Sequence, residues 1–364
     1  MSRTFRLLVF VLAGMAAAAA VFTIWRLIGS EAGTTSSTVA LVLGSNTATV
    51  TSTPGSSTTT SSSTTTTSTL PEKGWLVIQG TGDVNLDPGY IPALAVEGWD
   101  HAWSGLDGLF VEDDLTVINL ECAPSASGSP LDKDFVFRCP PESLASLAAN
   151  GIEVVNLGNN HSGDYGKEAL VEGRGNVTAA GAFPVGAGAN AAEAGAPALF
   201  EMGGWKVAVI GFGGVVGDAS WFATDDLAGI RDGDDISSLV AAVQAAAAQA
   251  DLVVVAIHWG VELDTAPRPE DVERAEAMIE AGADIIFGHH PHRLQPLEVI
   301  DGRPVFWSLG NFVWPHFSIA GSTTAVARAV VAPDGRIEGC LIPAMIESSG
   351  HPVLTGEPGC APPS

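Results

Sequence analysis

Six short apolar runs, rich in β-branched residues, each stop abruptly at a polar or glycine-rich segment. They are 75–79 before Gly80-Thr81-Gly82-Asp83, 115–119 before Leu120-Glu121, and 152–156 before Leu157-Gly158-Asn159-Asn160-His161. The others are 206–210 before Gly211, 252–257 before His258-Trp259-Gly260, and 285–287 before Gly288-His289-His290-Pro291-His292. Runs this short with no polar alternation suit strands buried on both faces. Helical patterns fall between them at 142–149, 167–180, 235–250 and 269–281. Asp234 or Asp235 and Arg268-Pro269-Glu270-Asp271 look like helix starts. Alternation of strand and helix predicts an α/β architecture. Two hairpins close the pattern, 295–300 with 304–309 across Asp301-Gly302, and 323–331 with 336–342 across Pro333-Asp334-Gly335. The sheet is therefore expected to be mixed.

The domain so delimited starts near Trp75, and what precedes it is of a different kind. Residues 5–28 are apolar apart from Arg6 and Arg26, and the stretch between the arginines is about long enough to span a bilayer. Arg3 and Arg6 would hold the N-terminal side in the cytoplasm. The bulky continuation Val21-Phe22-Thr23-Ile24-Trp25 favours an uncleaved anchor; a signal peptide cleaved near Ala16–Ala20 is the alternative. Of the 20 residues 51–70, 17 are Ser or Thr, too polar to offset the entropy of ordering them. The expected organisation is a cytoplasmic tip and transmembrane anchor over 1–33, a disordered linker over 34–74, a globular domain over 75–346, and a tail over 347–364.

From residue 75 onward there are 12 basic and 39 acidic residues, a charge of about −27, which excludes a general nucleic-acid binder. The four cysteines (Cys122, Cys139, Cys340, Cys360) all lie in this part, outside the cytoplasm if the anchor reading holds. Local pairing of 122 with 139 and 340 with 360 is one of three connectivities, and free buried thiols are the alternative.

The polar residues at the strand ends are mostly metal-ligand types: Asp83, Glu121, Asn160, His161, His258, His290 and His292. Ligand sites of open α/β sheets lie beyond the carboxyl ends of strands, and a divalent ion needs several converging N and O donors there. Singly, each has a plain structural explanation: a turn for Gly82-Asp83, a helix cap for Asn159-Asn160-His161, a hydrogen-bonded core residue for His258. Gly288-His-His-Pro-His292 is harder to explain by structure alone. The set is more specific than any member. Gly211-Phe-Gly213-Gly214 misses the dinucleotide spacing, and no Walker A, G-x-S-x-G or H-E-x-x-H motif occurs.

The segment from Trp75 to about Ile346 resembles the bacterial capsule-synthesis CapA family, associated with poly-γ-glutamate. The resemblance rests on Gly82-Asp83-Val84, Asn119-Leu120-Glu121, Asn159-Asn160-His161 with Asp164, and Gly186-Ala187-Gly188. It continues in His258-Trp259-Gly260-Val261-Glu262, Gly288-His289-His290-Pro291-His292 and Ser308-Leu309-Gly310-Asn311-Phe312. It implies a calcineurin-like metallophosphoesterase sandwich, with mixed sheets flanked by helices. It also implies one or two divalent ions (Mn, Fe or Zn) held by Asp83, Glu121, Asn160, His258, His290 and His292. His161 would be a catalytic residue that does not bind metal, with Asp164 orienting it if a helix begins there. An Asp-x-His opening of the wider superfamily reads Asp83-Val84-Asn85 here, one imidazole fewer. The expected partners are an anionic surface polymer or a phosphoester, membrane polymer-synthesis subunits, and the membrane itself. The rival readings are a catalytically silent accessory subunit and a secreted phosphoesterase.

Overall fold

The computed structural model of the protein describes residues 72–363, so the expected anchor and nearly all of the Ser/Thr linker lie outside the described residues. Among the described residues, no helix is long and apolar enough to cross a membrane.

Two mixed sheets pack face to face. In the eight-stranded sheet the order is His351–Leu354, Ile337–Ser348, Thr323–Val331, Leu76–Val84, Leu115–Leu120, Val154–Asn156, Phe183–Val185, with Asn311–Val313 pairing alongside Leu76–Val84. The six-stranded sheet runs Leu297–Ile300, Arg303–Phe306, Ile285–His289, Leu252–His258, Trp205–Gly213, Ala198–Met202. The Leu76–Val84, Leu115–Leu120 and Val154–Asn156 strands are parallel, as are Trp205–Gly213, Leu252–His258 and Ile285–His289. Antiparallel strands close both edges of the six-stranded sheet and the His351–Leu354 edge of the other, whose opposite edge strand, Phe183–Val185, is parallel.

Successive side chains on these strands go to opposite faces, and both faces are apolar. Ile78, Val117 and Val154 meet Val207, Val254, Phe287 and Phe306 in the layer between the sheets. Their neighbours Ile118 and Val155 face outward onto Leu144, Leu147, Leu170 and Val177. On the other sheet Val253, Val255 and Ile286 pack on Leu239, Val243, Ala275 and Met278. Helix–sheet–sheet–helix layering is thus the reason the runs lack polar alternation.

The helix Pro269–Ala281 has the expected bounds, opened by Arg268 with Asp271 and closed by Gly282 in the left-handed region. Ile236–Ala247 starts after Asp235, whose Oδ1 accepts from the Ser237 N–H. Leu115–Leu120, Trp205–Gly213, Leu252–His258 and Ile285–His289 run past their expected ends, and two larger expectations change. The Gly80-Thr81-Gly82-Asp83 segment is strand, so Asp83 lies within Leu76–Val84 rather than in a loop after it. These glycines serve close approach: a Cβ at 82 would collide with the Gly310 carbonyl, and one at 80 would sit 2.8 Å from the Phe287 ring. The second change is at the C-terminus, where the domain passes the expected limit of 346. Ile337–Ser348 and His351–Leu354 pair antiparallel, and Cys340 bonds Cys360. Cys122 bonds Cys139, so the pairing is the local one.

Candidate metal centre

Parallel pairing sets the strand ends level. Asp83 is beside Asn119, Asn119 beside Asn156, and in the other sheet His289 beside His258. The segments that follow turn in over the same end of the sandwich. Asp83, Glu121 and His258 are fully buried there, and His290 is 5% exposed.

The donor atoms converge on Glu121. Its Oε1 lies 3.5 Å from His258 Nε2 and 3.8 Å from His292 Nε2. Asp83 Oδ2 is 3.2 Å from His292 Nδ1. Two triplets, Asp83–Glu121–His292 and Glu121–His258–His290, each have donor atoms within 4.8 Å of one another, with Glu121 common to both. Asn160 Oδ1 accepts from His258 Nε2 at 2.8 Å. All six residues expected as ligands therefore meet in one place.

Two observations test whether a cation fits. Among the described residues, neither Glu121 oxygen nor His290 Nδ1 has a hydrogen-bond partner, although all three atoms are buried. Buried polar atoms are rarely left so, because each forfeits its hydration. The donor set is also mixed carboxylate and imidazole, which suits Mn, Fe or Zn. The residues fit a divalent ion.

Backbone strain aims the imidazoles. His290 and His292 both have positive φ, 97° and 53°, a region costly for side chains other than glycine. Asn311 then fixes the His292 ring. Its Nδ2 donates to the Gly321 carbonyl, so Oδ1 faces the ring and accepts from Nδ1 at 2.8 Å. That leaves Nε2 with a lone pair toward Glu121. His289, the third member of the cluster, is structural: its two nitrogens face the carbonyls of Ile257 and Thr81.

Charge states follow from burial. Burial opposes ionisation of Asp83, but its bond to His292 and the imidazoles of 292, 289 and 290 hold it below the usual carboxylate value. Glu121 is pushed well above its usual value by burial and then by the charges of Asp83 and Asp164. Burial, and then the neighbouring imidazoles, drive His258 well down; the same two causes take His290 to about 4. Near neutral pH both rings are neutral, the form that binds metal.

His161 stands beside these groups. Its Nδ1 is 2.8 Å from Asp164 Oδ2 and its Nε2 3.9 Å from Glu121 Oε1. The Asp164 contact is made inside a turn, not a helix; the helix starts only at Lys167. Burial lowers the His161 pKa against the pull of Asp164. The Phe137 ring packs on it, centroids 4.4 Å apart, and Trp314 packs on His292 at 4.8 Å. Beyond Phe137 lies an open cavity of about 800 Å³ bordered by Asp87, Tyr90, Phe135, Arg138 and Tyr165. None of the metal candidates lines that cavity, so the donor cluster sits beside it rather than in it.

Four residues without an expected role join the centre. Asn119 Nδ2 donates to Asp83 Oδ1 and lies 3.1 Å from His258 Nδ1. Lys133 Nζ donates to Asp164 Oδ1 and to the Asn160 carbonyl. Asn311 orients His292 as above, and Glu262 forms a third donor triplet with His290 and His292. Three of these stood in the motif segments of the sequence; only Lys133, in a loop, carried no signal.

A family model described as "Bacterial capsule synthesis protein PGA_cap" matches residues 77–316. The chain belongs to this family. The PGA biosynthesis protein CapA of Bacillus subtilis is 33% identical over 221 residues, 60% of this chain and 58% of that one. Capsule biosynthesis protein CapA of Bacillus anthracis is 32% identical over 227 residues, 62% and 55%. A Mycobacterium tuberculosis relative, 32% identical over 61% of each chain, is described as a "Probable polyglutamine synthesis accessory protein". The chain thus spans about three fifths of the length of the curated relatives it matches. A crystal structure of a Mycoplasma pneumoniae phosphatase overlaps 74% of this chain and 94% of its own, at 13% identity and a TM-score of 0.45. Within the PGA_cap match lie all the metal candidates, His161 and Asp164.

Proposed function

We propose that the protein is a membrane-anchored, extracytoplasmic member of the capsule synthesis family. It would serve an anionic surface polymer of the poly-γ-glutamate kind through a metal-dependent hydrolase or transferase centre of the calcineurin-like type. The observation that carries the centre is the convergence of two buried carboxylates, Asp83 and Glu121, with three imidazoles, the Glu121 oxygens having no hydrogen-bond partner among the described residues. The polymer role is supported by what the relatives are named for, and the anchor by the apolar run 5–28.

Asp83, Glu121 and His292 would hold one cation, and Glu121, His258, His290 and Asn160 a second. Such ions supply Lewis acidity, acidifying water and polarising a scissile group. Asn160 and His258, which bond each other, would part to bind. His161 works from outside the ligand set. With Nδ1–H held by Asp164, its Nε2 is the atom that takes up a proton and gives it to the leaving group. Lys133 holds Asp164 in place. Phe137 and Trp314 shield the histidines from bulk water.

A second reading, an accessory subunit that binds polymer without turnover, is favoured by Asn85. Its Oδ1 accepts from the Asp87 N–H and its buried Nδ2 has no partner among the described residues, so no imidazole or free oxygen stands at this position. Purified protein loaded with Mn²⁺ or Zn²⁺ and offered γ-glutamyl oligomers and phosphoesters separates the two. Metal-dependent turnover supports the enzyme; metal uptake without turnover of any of them supports the accessory subunit. N-terminal sequencing of native membrane protein tests the anchor, and recovery of a chain starting after Ala20 overturns it.

A further inference from the structure

Glu262 follows the Leu252–His258 strand, in a turn that also contains Gly260 and Leu263, both at positive φ. That turn is fastened to the histidine cluster, because the Leu263 N–H donates to the Pro291 carbonyl at 2.8 Å. Fastening at Pro291 sets the Glu262 carboxylate against the residues on either side of it, and its donor atom lies within 4.8 Å of those of His290 and His292. His290 is 5% exposed, and its Nδ1 has no partner among the described residues. His292 has Nδ1 committed to Asn311, which leaves Nε2 for a ligand. The pole formed by Asp83, Glu121 and His292 has three protein donors, and Asn85 adds none because its oxygen is taken by the Asp87 N–H.

We infer that Glu262 is a metal ligand on the solvent side, completing the cation position that His292 shares with Asp83 and Glu121. The inference rests on the proposed metal centre and extends it. Donors bound to one ion at about 2.0–2.2 Å sit within roughly 4.4 Å of each other, so the observed spacing needs only a small side-chain movement. An exposed carboxylate makes that movement at little cost. The position it completes would be the weaker and more exchangeable of the two, since one ligand is free to leave into water.

The test is metal binding by the full-length chain, stripped with chelator and titrated with Mn²⁺ in a calorimeter, with the ion count checked by elemental analysis. Wild type is expected to bind two ions of unequal affinity. Glu262→Ala should keep the tighter ion and weaken the other at least tenfold, with thermal stability of the metal-free protein unchanged because residue 262 is exposed. Glu262→Asp should recover part of the loss. Two ions bound by Glu262→Ala at wild-type affinities, a single ion in wild type, or loss of both ions together overturns the inference. No ion in wild type overturns the metal centre itself.

Discussion

At the scale of single residues, His161 is where the proposed catalysis and the proposed metal binding would come apart. Its Nδ1 is held by Asp164, and its Nε2 stands 3.9 Å from Glu121 Oε1 without a hydrogen bond to it. His161→Asn should leave metal content near wild type and lower turnover by about two to four orders of magnitude. His258→Asn should lower both. Loss of metal from His161→Asn, measured by elemental analysis, would place the ring among the ligands. Asp113 offers a test away from the centre. Burial, with the charges of Glu153 and Asp114, raises its pKa to about 7 although Thr116 and Gln79 donate to it. A carboxyl whose pKa folding raises favours the native state fully below its unfolded value of 3.8, and that stability is lost as pH rises toward 7. Asp113→Asn keeps an acceptor for both donors and removes the ionisation. Its stability relative to wild type should therefore grow between pH 4.5 and 8. The pKa difference sets a ceiling of about 4 kcal/mol, and partial solvent screening halves it to about 2. A melting-temperature difference that stays flat with pH would show Asp113 to be ionised throughout.

At the scale of elements, the Cys340–Cys360 bond closes a loop of 20 residues and ties the chain after His351–Leu354 back to Ile337–Ser348. Removing the chain-entropy benefit of such a loop costs about 3 kcal/mol, or roughly 5 °C in a domain of this size. The double substitution of Cys340 and Cys360 by Ser should show that loss under oxidising conditions and none under reduction; equal melting temperatures would mean the strand pairing alone holds the segment. Long buried strands and the helix Pro269–Ala281 were legible in the sequence because their apolar runs and caps are local. The three-residue strands Phe183–Val185 and Asn311–Val313 were not, since three residues carry no period and their pairing is decided by neighbours far along the chain. Asp83 was placed in a loop for a related reason. Gly-x-Gly ordinarily signals a turn, and only the packed Phe287 ring and Gly310 carbonyl show these glycines to be strand. The candidate ligands were legible as residue types at strand ends. Lys133 and the ligand-like placement of Glu262 were not, because both depend on how separate loops meet: Lys133 on Asp164, and Glu262 on the Pro291 carbonyl.

At the scale of the whole molecule, a strongly acidic domain buries two carboxylates at the junction of its sheets, and that arrangement should make stability depend on metal. Without a cation, Asp83 is held ionised by imidazoles while Glu121 next to it is driven toward its protonated form. A divalent ion bound there would reverse the second preference, and an ion that binds the folded state alone would stabilise by mass action, about 2.7 kcal/mol at a hundredfold excess over Kd. That corresponds to a rise of about 5 °C on adding Mn²⁺ or Zn²⁺ to stripped protein. Sodium chloride should also raise the melting temperature, because the surface charge of about −27 repels itself, but by screening and without saturation. Glu121→Gln separates the two effects. It removes the carboxylate common to the Asp83–Glu121–His292 and Glu121–His258–His290 triplets, so the metal-free protein should melt at or above the wild-type temperature while the saturable response to metal disappears. Its response to salt should remain. A wild type that shows only the salt response, or a Glu121→Gln variant that keeps the saturable one, would show that the junction of the sheets does not bind the ion.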